Sequence, residues 1–146
     1  MAVLVVLFVS WIAFRAAGAF GVHVFATWQS SAAYALAVMF LFTAIAHFTS
    51  TRHDLARMVP DIFPKPMLLV YISGVLEFLG FLGLLLPRFR FAAAVCLILL
   101  LVALFPANVN AARQHLTLRG KPATPLALRL PMQLLFIGLL GWSCLR

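Results

Sequence analysis

Glu77 is the only glutamate in the chain, and it stands inside the apolar run Pro66–Pro87. That run has the length of a membrane-spanning helix, about 20 residues at about 1.5 Å rise each. An ionisable group near the bilayer midplane costs several kcal/mol, roughly 2.5–3.5 on insertion scales for Asp, Lys or Arg. It therefore faces the bundle interior and a polar partner. On a helix, Ser73, Gly74, Gly80 and Leu84 lie within about 60° of Glu77, and small residues on that face admit a neighbouring backbone. Glu77 is expected to face protein rather than lipid. A carboxyl so placed can handle a ligand or a proton. It can equally stay neutral and donate one hydrogen bond to a carbonyl, holding the bundle together.

Several other residues could share this chemistry. Arg15 lies 12 residues past Val3, and Glu77 lies 11 past Pro66, about 18 and 16 Å along their helices. If both helices start from one face, the two charges reach similar depths. An interior ion pair, or a shared ligand, is then expected, provided the first and third spans are neighbours. His47 ends the second span near the interface, as a hydrogen-bonding group or a ligand contact. Tyr71 points about 120° away from Glu77 and lines a different contact. In the stretch Phe105–Asn110, Pro106 cannot donate to the carbonyl of Val102, which frees an acceptor and favours a kink. Asn108 and Asn110 place amides beside that break. Arg129 and Gln133, one turn apart around Pro131, could close such a polar niche. The alternative is a fraying helix end.

The elements that must position these residues follow from composition. The chain is 65% hydrophobic and 10% charged, with mean hydropathy +1.11, a surface no water-soluble domain of 146 residues tolerates. We expect an all-α polytopic membrane bundle forming one domain over residues 1–146. Its spans fall at about 3–24, 32–48, 67–86, 91–112 and 130–145, with a surface helix at about 52–59. In that surface helix Leu55, Met58, Val59 and Ile62 share one apolar face, and Thr51 with Asp54 has the spacing of a helix start. The net charge of +8 is scattered between apolar runs, which argues against nucleic acid.

Arg52, Arg57 and Lys65 precede the third span, and Arg113, Arg119, Lys121 and Arg129 lead into the fifth. Only Arg88, Arg90 and Arg146 lie on the other side. The two richer loops are expected to be cytoplasmic, which puts the N-terminus inside and the C-terminus outside. The first segment reads as a retained helix, without the basic n-region of a cleavable signal. Cys96 and Cys144 form no C-x-x-C pair, which disfavours a thiol–disulfide relay. His53, Asp54 and Asp61 lack metal-ligand spacing, so no metal site is expected. No phosphate-cradling loop or nucleophile–base set is recognisable, so no self-contained catalytic motif is present.

Ala46-His47-Phe48, Met58-Val59-Pro60, Val70 to Gly74, Glu77, Gly80, Gly83 to Pro87 with Arg88 and Arg90, Phe105 to Asn108 and Leu128 to Gln133 together resemble the DoxX-like membrane proteins. The likeness runs in order from about Ala32 to Trp142. It implies a four-helix core, with residues 1–25 as an additional N-terminal helix, and a bacterial inner membrane. It also implies a small component of a redox or stress-response assembly, an accessory to a quinone-linked oxidoreductase. On that reading a quinone or lipid-like ligand binds near Glu77, and membrane or peripheral protein partners supply the redox centre. Two other readings are a chaperone or scaffold for membrane proteins and a small transporter or proton pathway. The bilayer is an expected partner in every case, and a homo-oligomer is compatible with all three.

Overall fold

The computed structural model describes residues 2–118, 120–122 and 124–145. Six α-helices follow one another: α1 Ala2–Ala19, α2 Trp28–Phe48, α3 Arg52–Met58, α4 Pro66–Leu85, α5 Arg90–Arg113 and α6 Leu126–Cys144. All but α3 are long and apolar enough to cross a membrane. A short antiparallel ladder pairs Thr117 with Pro122 and Leu118 with Lys121 between α5 and α6. The chain is a helical membrane bundle.

The helix α2 is its axis. It packs against α1, α4 and α6, while α5 closes the bundle against α4 and α6. The sequence explains why α2 holds that position. Ala32, Ala33, Ala35, Ala37 and Ala44 are all buried, and their small side chains let three neighbours approach one backbone. Larger groups fill the space between: Leu36, Phe40, Leu84, Leu97, Phe136 and Leu140 meet in one cluster. The outward faces carry exposed Ile12, Leu79, Phe91, Leu99, Val102 and Leu134, an apolar surface suited to lipid and not to water.

Helix boundaries depart from the hydropathy runs where polar side chains serve the backbone. The first helix ends at Ala19 rather than residue 24, because Gly21 takes φ 102° and a 3-10 turn follows at His23–Phe25. The second helix starts at Trp28, earlier than expected. Thr27 caps it, its hydroxyl accepting from the Ser30 N–H at 3.1 Å. The hydroxyls of Ser30 and Ser31 donate to the carbonyls of Val24 and Phe25, so these polar residues belong to the helix and tie the turn to it. The last helix begins at Leu126 and carries Pro131 inside it.

The surface helix forms but stops at Met58, and Pro60 follows it. Ile62 therefore lies beyond the helix and is exposed, not part of an apolar face. Thr51 precedes α3 with helical rather than extended backbone, and the capping bond expected from its spacing to Asp54 does not form. Met58 packs with Ala111 and Leu116, and the Asn110 amide donates to the Met58 carbonyl at 3.0 Å. These contacts bring the 49–65 connection and the 114–125 connection to the same end of the bundle, the end rich in Lys and Arg.

Candidate functional site

Glu77 lies on the inward face of α4. The buried residues of that helix are Val70, Ser73, Gly74, Glu77, Gly80 and Leu84, the stripe expected from a 3.6-residue period. Across from it stands His47, on the last turn of α2. Side chains on a helix lean toward its N-terminus, so Glu77 reaches back by about a turn toward the level of Gly74. At that level a Cβ on Gly74 would lie 2.5 Å from the Cβ of His47 and 3.0 Å from Cε2 of Phe48. Only glycine lets α2 and α4 meet this closely, and the close meeting brings His47 to Glu77.

The imidazole is held from both sides. Its Nδ1 lies 2.8 Å from the Val70 carbonyl and 3.1 Å from the Ser73 hydroxyl, and that hydroxyl donates to the same carbonyl at 2.9 Å. A carbonyl oxygen only accepts, so Nδ1 carries its hydrogen in this arrangement. Nε2 is then turned to Glu77, 3.6 Å from Oε2, just outside direct hydrogen-bond range. His47, Ser73 and Glu77 are each buried, at 8%, 5% and 5% exposure, and among the described residues Oε2 of Glu77 has no hydrogen-bond partner. Chemically this arrangement is capable of sharing one proton between Nε2 and Oε2. Neutral imidazole with a carboxylic acid and imidazolium with a carboxylate have the same net charge, and both avoid an isolated buried ion.

A second polar cluster lies where α5 meets α6. The Arg129 guanidinium donates through Nη1 to the Asn108 side-chain oxygen at 2.7 Å and through Nε to the Thr124 carbonyl at 2.9 Å. The Asn108 amide faces the Gln133 oxygen at 3.5 Å. Gln133 in turn donates to the Leu101 carbonyl at 2.9 Å, near the Pro106 break and one residue before the carbonyl that Pro106 leaves without its usual donor. Asn108, Arg129 and Gln133 thus converge, as their spacing around the two prolines suggested. Both described partners of Arg129 are neutral oxygens.

Arg15 joins neither cluster, and its expected pairing with Glu77 is overturned. Its guanidinium lies over the Trp28 ring, 5.3 Å from the centroid, and the Trp11 indole donates to the Trp28 carbonyl at 3.2 Å. These contacts fix the register of α1 at the start of α2, whereas His47 and Glu77 sit at its end. From Trp28 to His47 the helix runs about 28 Å. The depth comparison assumed that α1 and α4 begin at one level. In the structure α1 is displaced along α2 toward the end opposite the basic connections. Tyr71 also stays apart, stacked on Phe48 with centroids 6.0 Å apart.

The pairing of His47 with Glu77 was missed, although both residues stood out singly. The readable signal was Gly74, one turn before Glu77 on the same face, marking where another backbone must approach. The carbonyls of Val70 and Thr124, which complete the two clusters, leave no trace in side-chain identity.

Residues 36–144 match the family described as Domain of unknown function (DUF8561). The chain belongs to this family. The match begins within α2 and ends with α6, so it takes in both polar clusters and leaves out α1 with Arg15. Neither the curated proteins nor the solved structures contain a match to the chain.

Proposed function

We propose that this protein is a small integral membrane component of a redox or stress-response assembly, and that it binds a quinone or lipid-like ligand at the His47–Glu77 pair. The observation that carries this reading is the open Oε2 of Glu77, buried beside Nε2 of His47 and without a hydrogen-bond partner among the described residues. A carboxyl kept only to hold helices together is expected to have its buried oxygens satisfied. A ligand oxygen drawn to this pair would receive a hydrogen bond from whichever atom holds the shared proton. Ser73 and the Val70 carbonyl keep the imidazole oriented for that contact. An apolar groove of about 390 Å³ runs along α4 and α5 past Leu76, Gly80, Gly83 and Cys96, on the α5 side of the helix that carries Glu77. The chain contributes binding, orientation and a proton, and protein partners supply the redox centre.

The resemblance to DoxX-like proteins supports the same reading. On it α2, α4, α5 and α6 form the shared core and α1 is an added helix. The Lys- and Arg-rich end is cytoplasmic by the positive-inside rule, the C-terminus lies outside, and the membrane is the bacterial inner membrane.

A scaffold role is the second reading, favoured by the tight seam at Gly74, where α2 and α4 leave no room for a Cβ. Native mass spectrometry of wild type and Glu77→Gln, purified in parallel from native membranes, separates the two. Ligand binding at the pair predicts a co-purifying quinone or lipid that is depleted in the variant. Equal occupancy in both proteins would remove Glu77 from the site and leave the scaffold reading.

A further inference from the structure

We infer that a separate site at the basic end of the bundle binds the headgroup of an anionic phospholipid, with Arg129 as the cation that selects it. A cleft of about 470 Å³ opens there between the end of α5 and the start of α6, lined by Ala111, Ala112, His115, Leu116, Pro125 and Leu126. Its walls are apolar, as the glycerol and upper acyl segments of a lipid require. Arg129 lies one helical turn beyond Pro125 of that lining, its backbone N–H donating to the Pro125 carbonyl at 3.0 Å. The guanidinium is anchored on the carbonyl of Thr124, the residue before Pro125, and on Asn108, one turn before Ala111 and Ala112.

Among the described residues no carboxylate pairs with Arg129. The half-buried cation is oriented by neutral oxygens alone and keeps its charge available. Asn108 is in turn held by Gln133, which donates to the Leu101 carbonyl, so the guanidinium is fixed before a ligand arrives. The surroundings have the same sign, with Arg52, Arg57, Lys65 and Arg113 at this end of the bundle. A basic pocket between helices at the membrane–water boundary is the arrangement that recognises anionic headgroups. A guanidinium also suits phosphate because it stays charged and donates strong hydrogen bonds to it, and among the described residues Nη2 of Arg129 has no partner. This site is distinct from the His47–Glu77 pair, which lies between α2 and α4.

The test is a native mass spectrometry titration of the full chain in detergent micelles with short-chain phosphatidylglycerol, phosphatidylcholine and inorganic phosphate. Phosphatidylglycerol should bind at least about fivefold more tightly than phosphatidylcholine, the factor expected for one cation at an anionic surface. Arg129→Gln should abolish that preference, and Arg57→Gln, on the exposed side of α3, should retain most of it. Ala112→Leu fills the cleft without touching the guanidinium and should weaken phosphatidylglycerol binding, which decides the matter if Arg129→Gln does not fold. An unchanged preference in Arg129→Gln or in Ala112→Leu overturns the inference. So does an equal loss in Arg57→Gln, which would mean diffuse attraction. Inorganic phosphate that displaces phosphatidylglycerol at equal concentration would assign the site to the free anion and overturn the lipid.

Discussion

Replacing His47 and Glu77 by leucine, singly and together, tests whether the two form a unit. His47→Leu leaves the Glu77 carboxyl buried with nothing opposite it, and Glu77→Leu leaves Nε2 of His47 in the same position. Stranding one buried polar group costs about 1–3 kcal/mol, and about 3–5 if the survivor stays charged. Replacing both by apolar groups removes the stranded partner altogether, a change that is often near neutral. The double variant should therefore be no less stable than the worse single one. Both residues are at least nine-tenths buried, so the coupling should lie at or above the upper range for polar contacts in membrane bundles, about 1–2 kcal/mol. Loss of the imidazole's bond to Val70 occurs in both His47 variants and cancels from the cycle. Unfolding in mixed micelles of dodecyl maltoside and dodecyl sulfate, followed by tryptophan fluorescence, supplies the four stabilities. Trp11, Trp28 and Trp142 cluster at the other end of the bundle, so the signal reports global unfolding rather than a local change at the site. Additivity of the two single effects to within about 0.5 kcal/mol would refute the pair.

Three further outcomes can be read in the same assay. Gly74→Ala should destabilise by up to about 2 kcal/mol, the overpacking cost of about 1–3 less the gain of about 1 from alanine in a helix. Because the clash is with the Cβ of His47, the penalty should persist in a His47→Ala background, and its disappearance there would contradict the close approach. Arg15→Gln and Glu77→Gln should be additive within about 0.5 kcal/mol, as expected for residues at opposite ends of α2. Gln133→Leu should cost about 0.6–1.7 kcal/mol by removing its bond to the Leu101 carbonyl, whereas a neutral effect would show that this amide does not hold α6 to α5.

Local periodicity was legible, and relations between helices were not. The inward face of Glu77 follows from 3.6 residues per turn, and the buried stripe of α4 is the set that this period selects. The Asn108–Arg129–Gln133 niche was readable because two prolines announce where backbone acceptors go unpaired and the amides stand within a turn of them. Boundaries failed where hydropathy counted Gln29, Ser30 and Ser31 as loop. Two of these hydroxyls instead satisfy carbonyls of the preceding turn, which permits helix. Arg15 was misplaced because depth along a helix was taken from its first residue. The level at which a helix starts is set by what it packs against, here Trp28 through Trp11 and Arg15.

That displacement divides the bundle by chemistry. Toward the basic end the helices are joined through polar groups: His47, Ser73 and Glu77 between α2 and α4, and Asn108, Arg129 and Gln133 between α5 and α6. Toward the opposite end they are joined by rings. Phe14 stacks on Phe25 and both meet Tyr34 edge to face, with centroids 4.7–6.2 Å apart, and Arg90 covers Tyr34 while donating to the Leu84 carbonyl. The helix α1 belongs to the aromatic end, and its one fully buried side chain, Leu7, meets the apolar core rather than either polar cluster. The surroundings of Glu77 are therefore set by α2 and α4. His47, which faces Glu77, and Ser73, which contacts His47, both fall inside the family match that leaves α1 out. Glu77 is thus positioned without Arg15, which lies over Trp28 at the other end of α2.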